Sequence, residues 1–318
     1  MRDDTSKNIA VVIPARNEAE RIGACLAAFA GQIERTTIIL VINNTIDATA
    51  ERARDTAAQY DLDLTVLDCA LNPADGVGAA RRIGCDHAMR QMRHLRYMMT
   101  TDADCIVAAD WIACNARHLE SVDAVCGRID LIESEKGILS EMDLVLATNE
   151  GRYRALVQTI YAKYAEESAD LIGTHGEAAG ASLAFTPAAY VAVGGFERNE
   201  NGEDRRIVRA LRSSGYRVSH ADDVIVRASC RLDGRAVGGM SDALKARIDG
   251  TDYLVDDCLP AAEWLVSGAR AGTLGVWPPL VPAEGRVHVQ DLPRNISTLE
   301  AFFHTGHAAG ARADLVDQ

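Results

Sequence analysis

The first hundred residues alternate short apolar runs with stretches of helical periodicity, and this alternation constrains the fold more than any other feature of the chain. The apolar runs predict buried strands at Ile9–Ile13, Thr37–Ile42, Leu62–Leu67 and Tyr97–Thr100. Helices are expected between them: one capped by Asn17, one over Asp47–Tyr60 and one over Gly76–Met92. Strands joined by crossover helices predict an α/β fold whose mainly parallel sheet has helices on both faces.

In such a sheet, ligands collect at the carboxyl ends of the strands. The loops that follow the first, second and fourth strands are therefore expected to meet in one crevice. These loops are Ala15–Glu18, Asn43–Asp47 and Thr101–Asp104.

The pattern changes after Asp110. Later elements are a strand over 124–132, mostly helical structure over 138–168, a strand at Ala181–Phe185, a helix at Glu203–Ser213, strand pieces at Val218 and Val224–Val226, and a final helix at Leu299–Ala309. From about residue 231 the sequence is glycine-rich and irregular. We therefore expect an α/β domain over residues 1–230 and a C-terminal extension over 231–318, serving as an acceptor lid or a dimerisation element, so that a homodimer is one expected assembly.

The net charge and the spacing of the cysteines exclude some classes of function. The net charge is −13, with 33 Lys and Arg against 46 Asp and Glu. No basic run is present to neutralise phosphates, which argues against a nucleic-acid-binding protein. None of the eight cysteines forms a C-x-x-C pair, which favours free thiols in a reducing compartment over a zinc site. The polar N-terminus and the lack of an apolar run of about 18 residues predict a cytoplasmic protein without a transmembrane segment.

Two carboxylates, Asp102 and Asp104, follow the fourth strand two residues apart. In an extended chain both side chains point to the same side, where they would repel each other without a cation. Hard oxygen ligands suit Mg²⁺ or Mn²⁺. The alternative interpretation is an acidic turn that caps the helix near Asp110.

Two further segments carry polar residues at helix starts. Gly76 and Gly78 precede Arg81, and glycines at a helix N-terminus allow a phosphate to approach closely. Glu203 and Asp204 follow a loop that begins with a double glycine, and Asp204 is a candidate general base for an acceptor hydroxyl. Ordinary helix entry and ordinary helix capping are the respective alternatives.

In this order the segments resemble the family-two glycosyltransferases of the GT-A fold, which are inverting enzymes. The resemblance covers roughly residues 9–225 and rests on Val11–Glu18, Val41–Asp47, Gly76–Arg81, Asp102–Asp104, Gly180–Ser182 and Gly194–Asp204. It implies transfer of a sugar from a nucleoside-diphosphate donor, UDP or GDP, to an acceptor hydroxyl whose class the sequence leaves open.

The resemblance also implies roles for individual residues. Donor-binding roles are implied for Pro14, Ala15, Glu18, Gly78, Arg81 and Asp102. Asp102 and Asp104 would hold the metal, and Gly180 and Ala181 would shape the acceptor side. Asp204 would be the base, with Glu203 orienting it or the acceptor.

The chain departs from its relatives at three places. Asn43 and Asn44 stand where many relatives have an acidic pair, so Asn43 is expected to contribute to an altered recognition of the base. Relatives often supply a late histidine to the metal, for which His220 is the nearest candidate. Arg231 and Arg235 lie where a donor-covering loop is expected, and two arginines there would suit the diphosphate.

Three other classes compete with this assignment. A nucleotidyltransferase shares the parallel sheet and the metal carboxylates, but no strongly basic, glycine-rich phosphate loop lies near the N-terminus. A non-catalytic protein that binds a sugar or nucleotide would keep the site without turnover. A Rossmann oxidoreductase is disfavoured because G-x-G-x-x-G does not follow the first strand.

Overall fold

The computed structural model describes residues 8–32, 36–234, 239–250 and 252–313. The chain divides into two compact units. The first consists of Met1–Ser140 and Thr174–Leu244, and the second of Glu141–Gly173 and Lys245–Gln318. The expected boundary near residue 230 stays a prediction.

An eight-stranded sheet organises the first unit. Its strands are β1 Ile9–Ala15, β2 Thr36–Asn43, β3 Leu64–Cys69, β4 Tyr97–Thr100, β5 Ile106–Val107, β6 Ala124–Leu131, β7 Leu183–Phe185 and β8 Val218–Ala228. They lie in the order β3-β2-β1-β4-β7-β6-β8-β5. The pairs β3–β2, β2–β1, β1–β4 and β6–β8 are parallel, whereas β4–β7, β7–β6 and β8–β5 are antiparallel. The predicted mainly parallel sheet is confirmed.

Both faces of this sheet are buried, because successive side chains of a strand point in opposite directions. Along β1, Val11 and Ile13 belong to one core and Ala10 and Val12 to the other. The first core is completed by helices α1 Ile22–Ala27, α2 Thr49–Gln59 and α4 Trp111–His118. The second is completed by α3 Gly76–Gln91, α6 Pro187–Ala192 and α7 Glu203–Ser213.

The second unit is built around helices. They are α5 Leu144–Tyr164, α9 Ala262–Ala271 and α10 Leu292–Ala313, while α8 Met240–Asp249 begins in residues of the first unit and ends in residues of the second. Its core includes Tyr153, Tyr161, Leu265 and Trp277. No helix in the described part of the chain has both the length and the apolar character to cross a bilayer.

One local prediction was wrong. Asn17 does not cap a helix, since α1 begins at Ile22; instead Asn17 has a left-handed φ of 54°, and its Oδ1 accepts the Ile46 N–H at 2.9 Å. The C-terminal extension was expected to be irregular and helical, and its described residues include α8, α9 and α10. Pro293 lies in the first turn of α10, where a missing N–H costs no intrahelical hydrogen bond.

The eight cysteines are free thiols, as expected. Seven are buried and Cys69 is half-buried.

Candidate active site

The three strand-end loops meet, as predicted. β1 lies between β2 and β4, so its end is flanked by theirs. The Glu18 N–H donates to Thr49 Oγ1 at 2.8 Å, and the Ala19 N–H donates to Asp47 Oδ2 at 3.1 Å, which ties the loop after β1 to the loop after β2. The loop after β4 joins them through an arginine.

That arginine is Arg231, which follows β8. Its guanidinium donates to both carboxylate oxygens of Glu18, with Nη1 at 2.7 Å from Oε2. The same group lies 2.9 Å from Asp104 Oδ2. Burial, and then the neighbouring Asp102, raise the pKa of Asp104 to about 6; Arg231 opposes this shift and Glu18 adds to it. This corner therefore carries more negative charge than Arg231 offsets.

A cleft of about 340 Å³ opens beside this corner. It is lined by Asn17, Glu18, Ala19, Glu20, Arg21, Asp47, Arg52 and Arg231. The cleft is mostly polar, and it lies at the carboxyl ends of β1 and β2, where a ligand is expected in a sheet of this type.

A second arginine, Arg81 in α3, connects Asp102, one of the candidate metal acids, to Glu203 at the start of α7. Its guanidinium donates to Asp102 through Nη2 and to Glu203 through Nη1, and its side chain is only 3% exposed. Burial alone would lower the pKa of Arg81, but Asp102 and Glu203 raise it, so the arginine is charged. In this geometry Arg81 holds two carboxylates; its expected contact with a nucleotide stays a prediction.

Glu203 and Asp204 open α7 but have different surroundings. Glu203 is buried, and burial raises its pKa to about 7 although the adjacent Arg81 acts in the opposite direction. Asp204 is half-buried; its Oδ2 accepts the Gly180 N–H at 2.9 Å and its Oδ1 accepts the Arg205 N–H at 2.7 Å. Gly180 also accepts from Thr100 Oγ1 at 2.9 Å, so Asp204 is linked to the end of β4.

The glycines that open α3 have a packing role. A Cβ at Gly76 would lie 2.0 Å from the Asn199 carbonyl oxygen, and one at Gly78 would lie 2.4 Å from the Glu197 carbonyl and 2.8 Å from Glu203 Cβ. The missing side chains let the loop before α7 approach α3 closely, which places Glu203 within reach of Arg81. The expected phosphate contact of Gly78 stays a prediction.

The remaining predicted residues are more scattered. Pro14 and Ala15 are buried in β1, and Asn43 is half-buried at the end of β2. His220 is buried on β8, where its ring lies 5.5 Å from that of His175 and its Nδ1 lies 3.3 Å from Arg212 Nη2. These contacts are not with Asp102 or Asp104, and within the described ranges no three His, Cys, Asp or Glu residues are grouped to hold a metal. Arg235 lies outside the described residues.

Sequence reasoning did not identify Glu135, which lies in the 3-10 helix Glu133–Glu141. Its Oε2 accepts from Ser229 Oγ at 2.8 Å and from the Cys230 N–H at 2.9 Å, and its Oε1 accepts from Arg21 Nη1 at 2.7 Å. Glu135 thereby fixes the backbone immediately before Arg231. Glu135 stands among other acidic residues in the sequence, and nothing in that pattern indicated this role.

The family model for glycosyl transferase family 2 matches residues 10–183 of this chain. The chain belongs to glycosyl transferase family 2. The matched segment contains Arg81, Asp102, Asp104 and Gly180, whereas Glu203, Asp204 and Arg231 lie beyond it. Membership of this family argues against the nucleotidyltransferase and oxidoreductase alternatives.

Solved structures agree on the fold. The mannosyltransferase PcManGT from Pyrobaculum calidifontis, solved with GDP-Man and Mn²⁺, is similar with a TM-score of 0.53 and 21% identity over 99% of this chain and 80% of its own. TarS 1-349 from S. aureus, solved with UDP-GlcNAc, has a TM-score of 0.50 and 14% identity over 83% of this chain. The match spans 65% of that TarS chain. At these identities the likeness establishes the GT-A fold, confirming that prediction.

A comparison with curated protein sequences gave no match.

Proposed function

We propose that this glycosyltransferase moves a sugar from a nucleoside-diphosphate donor to an acceptor hydroxyl with inversion, with Mg²⁺ or Mn²⁺ at Asp102 and Asp104 and with Asp204 as general base. The observation that carries the proposal is the position of Arg81. One buried guanidinium contacts both Asp102, at the end of β4, and Glu203, at the start of α7. This contact supports the proposal that the candidate metal acids and the candidate base Asp204, which follows Glu203 in the chain, act in one site.

The acids suit a small divalent cation. Burial raises the pKa of Asp104 to about 6, and the neighbouring carboxylates of Asp102 and Glu18 add to this shift, so a cation would relieve the repulsion among these acids. Mg²⁺ takes one or two protein carboxylates and completes its coordination with phosphate oxygens and water. A metal held there would supply Lewis-acid stabilisation of the charge on the departing diphosphate.

Donor binding is proposed beside the same acids. Pro14 and Ala15 lie at the end of β1, Asn43 lies at the end of β2, and Glu18 lines the polar cleft that follows these strands. These residues would contact the nucleoside. PcManGT was solved with GDP-Man and TarS with UDP-GlcNAc, so both nucleotides belong in a donor screen.

Asp204 suits the base role better than Glu203. Glu203 is buried and engaged by Arg81, so its carboxylate is committed to positioning. Asp204 is half-buried, and two backbone N–H groups that donate to its carboxylate fix its orientation. In our mechanism Asp204 accepts the proton of the acceptor hydroxyl as that oxygen attacks the anomeric carbon from the face opposite the leaving diphosphate.

The test combines binding and turnover. UDP, GDP and their sugars are screened with Mn²⁺ by thermal shift, since a bound ligand raises the melting temperature by mass action. Release of nucleoside diphosphate from the selected donor is then measured for the wild type, Asp204→Asn and the control Glu197→Gln, which changes an exposed acid in the loop before α7. General-base loss predicts a decrease of about 10²–10⁴ in kcat for Asp204→Asn.

Two results would contradict the proposal. Donor binding unchanged with full turnover in Asp204→Asn would reject that residue as the base. No melting shift with any nucleotide, and no nucleotide release, would reject nucleotide-sugar transfer.

A further inference from the structure

Arg231 is a cation that the fold places on the same carboxylate that the proposed metal needs. It donates to both oxygens of Glu18 and lies 2.9 Å from Asp104 Oδ2. Arg81, the other arginine of the site, is engaged by Asp102 and Glu203. The two arginines thus divide the acids into two groups, and Arg231 contacts the group that contains Asp104 and the cleft residue Glu18.

This position of Arg231 is built into the backbone. Glu135 accepts from Ser229 Oγ and from the Cys230 N–H, and the Arg231 N–H donates to Ser229 Oγ at 3.2 Å. The segment therefore emerges from β8 with a defined direction, and the side chain that follows is aimed at Glu18. The Arg231 side chain is 17% exposed and lines the cleft, so its guanidinium borders the space that a donor would enter.

A guanidinium and a divalent cation cannot share Asp104 Oδ2 at low cost. A Mg²⁺ ion bonds an oxygen at about 2.0–2.1 Å, which would bring it within a few ångströms of the Arg231 nitrogen. Like charges at such separations repel strongly in a partly buried site. A nucleoside diphosphate would give Arg231 a different partner, since a guanidinium binds phosphate oxygens in a bidentate manner.

We propose that Arg231 is an internal competitor of the divalent cation, occupying Asp104 and Glu18 without ligand and transferring to the diphosphate when donor and metal bind. This inference rests on the proposed function. It makes Arg231 a positioning residue that couples metal binding to nucleotide binding, and by linkage the coupling acts equally in both directions.

The experiment measures Mn²⁺ binding to the full chain from the electron paramagnetic resonance signal of free Mn²⁺, with no nucleotide. The variants are Arg231→Gln, Glu135→Gln and Arg52→Gln. Arg52 lines the same cleft and is a matched control because its replacement removes the same charge without touching Asp104. Losing the ion pair between Arg231 and Asp104 should tighten Mn²⁺ binding about tenfold in Arg231→Gln. Glu135→Gln should tighten Mn²⁺ binding less, because it weakens the hydrogen bonds that hold the backbone before Arg231. The Mn²⁺ affinity of Arg52→Gln should stay within about twofold of the wild-type value.

The titration is repeated with saturating UDP and with saturating GDP. The nucleotide that binds should tighten Mn²⁺ binding more in the wild type than in Arg231→Gln, because the variant has no guanidinium to remove from Asp104. Affinity in Arg231→Gln equal to or weaker than the wild type would overturn the inference while leaving metal-dependent transfer intact. Absence of Mn²⁺ binding in every variant, even with both nucleotides, would overturn the inference and the metal role together.

Discussion

Replacing Gly180 with alanine should disrupt the arginine that links the two acidic groups. A Cβ at this position would lie 2.4 Å from Cζ and Nη2 of Arg81 and 2.6 Å from Nη1, whereas ordinary contact begins at 3.4 Å. The guanidinium would have to withdraw by about 1 Å (3.4 minus 2.4). The backbone of Gly180 is not in the left-handed region, so alanine adds no backbone strain of its own.

A withdrawal of that size breaks at least one of the two ion pairs that Arg81 makes, because hydrogen bonds weaken steeply beyond their normal length. A hydrogen bond to a charged group contributes about 1.5–3 kcal/mol, and the partner left behind is a carboxylate in a site of little exposure. We therefore expect Gly180→Ala to lower the free energy of unfolding of the first unit by about 2 kcal/mol. The control is Gly137→Ala in the same unit, where an added Cβ meets no atom within 4 Å.

The assay is urea unfolding followed by fluorescence of Trp111, the one tryptophan among three that lies in the first unit. Trp264 and Trp277 are replaced with phenylalanine in every protein compared, so that the signal reports this unit alone. The m-value should be unchanged, since the same surface is exposed on unfolding. A Gly180→Ala midpoint equal to that of Gly137→Ala would show that Arg81 moves without losing either carboxylate, and would refute the reasoning.

Two pH dependences follow from the buried titratable groups, and the same fluorescence signal measures both. Glu203 has a pKa raised from 4.5 to about 7, so the folded state holds its proton more tightly; its contribution to stability is lost as pH rises from about 4.5 to 7, and Glu203→Gln should remove that contribution. Asp104 adds a slope of the same sign in both proteins, so identical pH slopes in the wild type and Glu203→Gln would contradict the role given to Glu203. Burial lowers the pKa of His175 from 6.5 to about 4, and its Nδ1 accepts the Glu177 N–H at 3.0 Å; its contribution has the opposite sign and is lost as pH drops from about 6.5 towards 4, so each group is read from the difference between the wild type and its own variant. His175→Gln should lose this sensitivity to acid. If the variant loses stability at acid pH as the wild type does, the effect belongs to another group.

Periodicity predicted the sheet because its strands bury both faces. β1, β2 and β4 are continuous apolar runs, and such runs identify strands of a parallel sheet without knowledge of their partners. The helix starts at Gly76 and Glu203 were equally readable, since glycine and acidic residues mark them locally. Local signals failed at Asn17, whose side chain bonds across to Ile46 of another loop instead of capping a helix.

The candidate site was predictable as a set of residues but not as a set of contacts. Glu18 and Arg231 are separated by 213 positions, and no spacing rule connects them. Arg81 has the sequence context of a surface arginine at a helix start, whereas its burial depends on Gly180 and on the approach of the α7 loop. The role of Glu135 depends on the path of the chain after β8, which becomes known only when the sheet is assembled.

The two arginines differ in a way that assigns them different roles in a catalytic cycle. Arg81 is 3% exposed, bonds carboxylates from two elements and fills the space beside Gly180, so its removal would leave the buried Glu203 uncompensated at a cost of several kcal/mol. Arg231 is 17% exposed, borders the cleft and holds acids that a bound cation could neutralise in its place. A charge can leave its partners during turnover only where another charge replaces it. Arg81 therefore fixes the relative positions of Asp102 and Glu203, and we propose that exchange of ligands is confined to the corner formed by Glu18, Asp104 and Arg231.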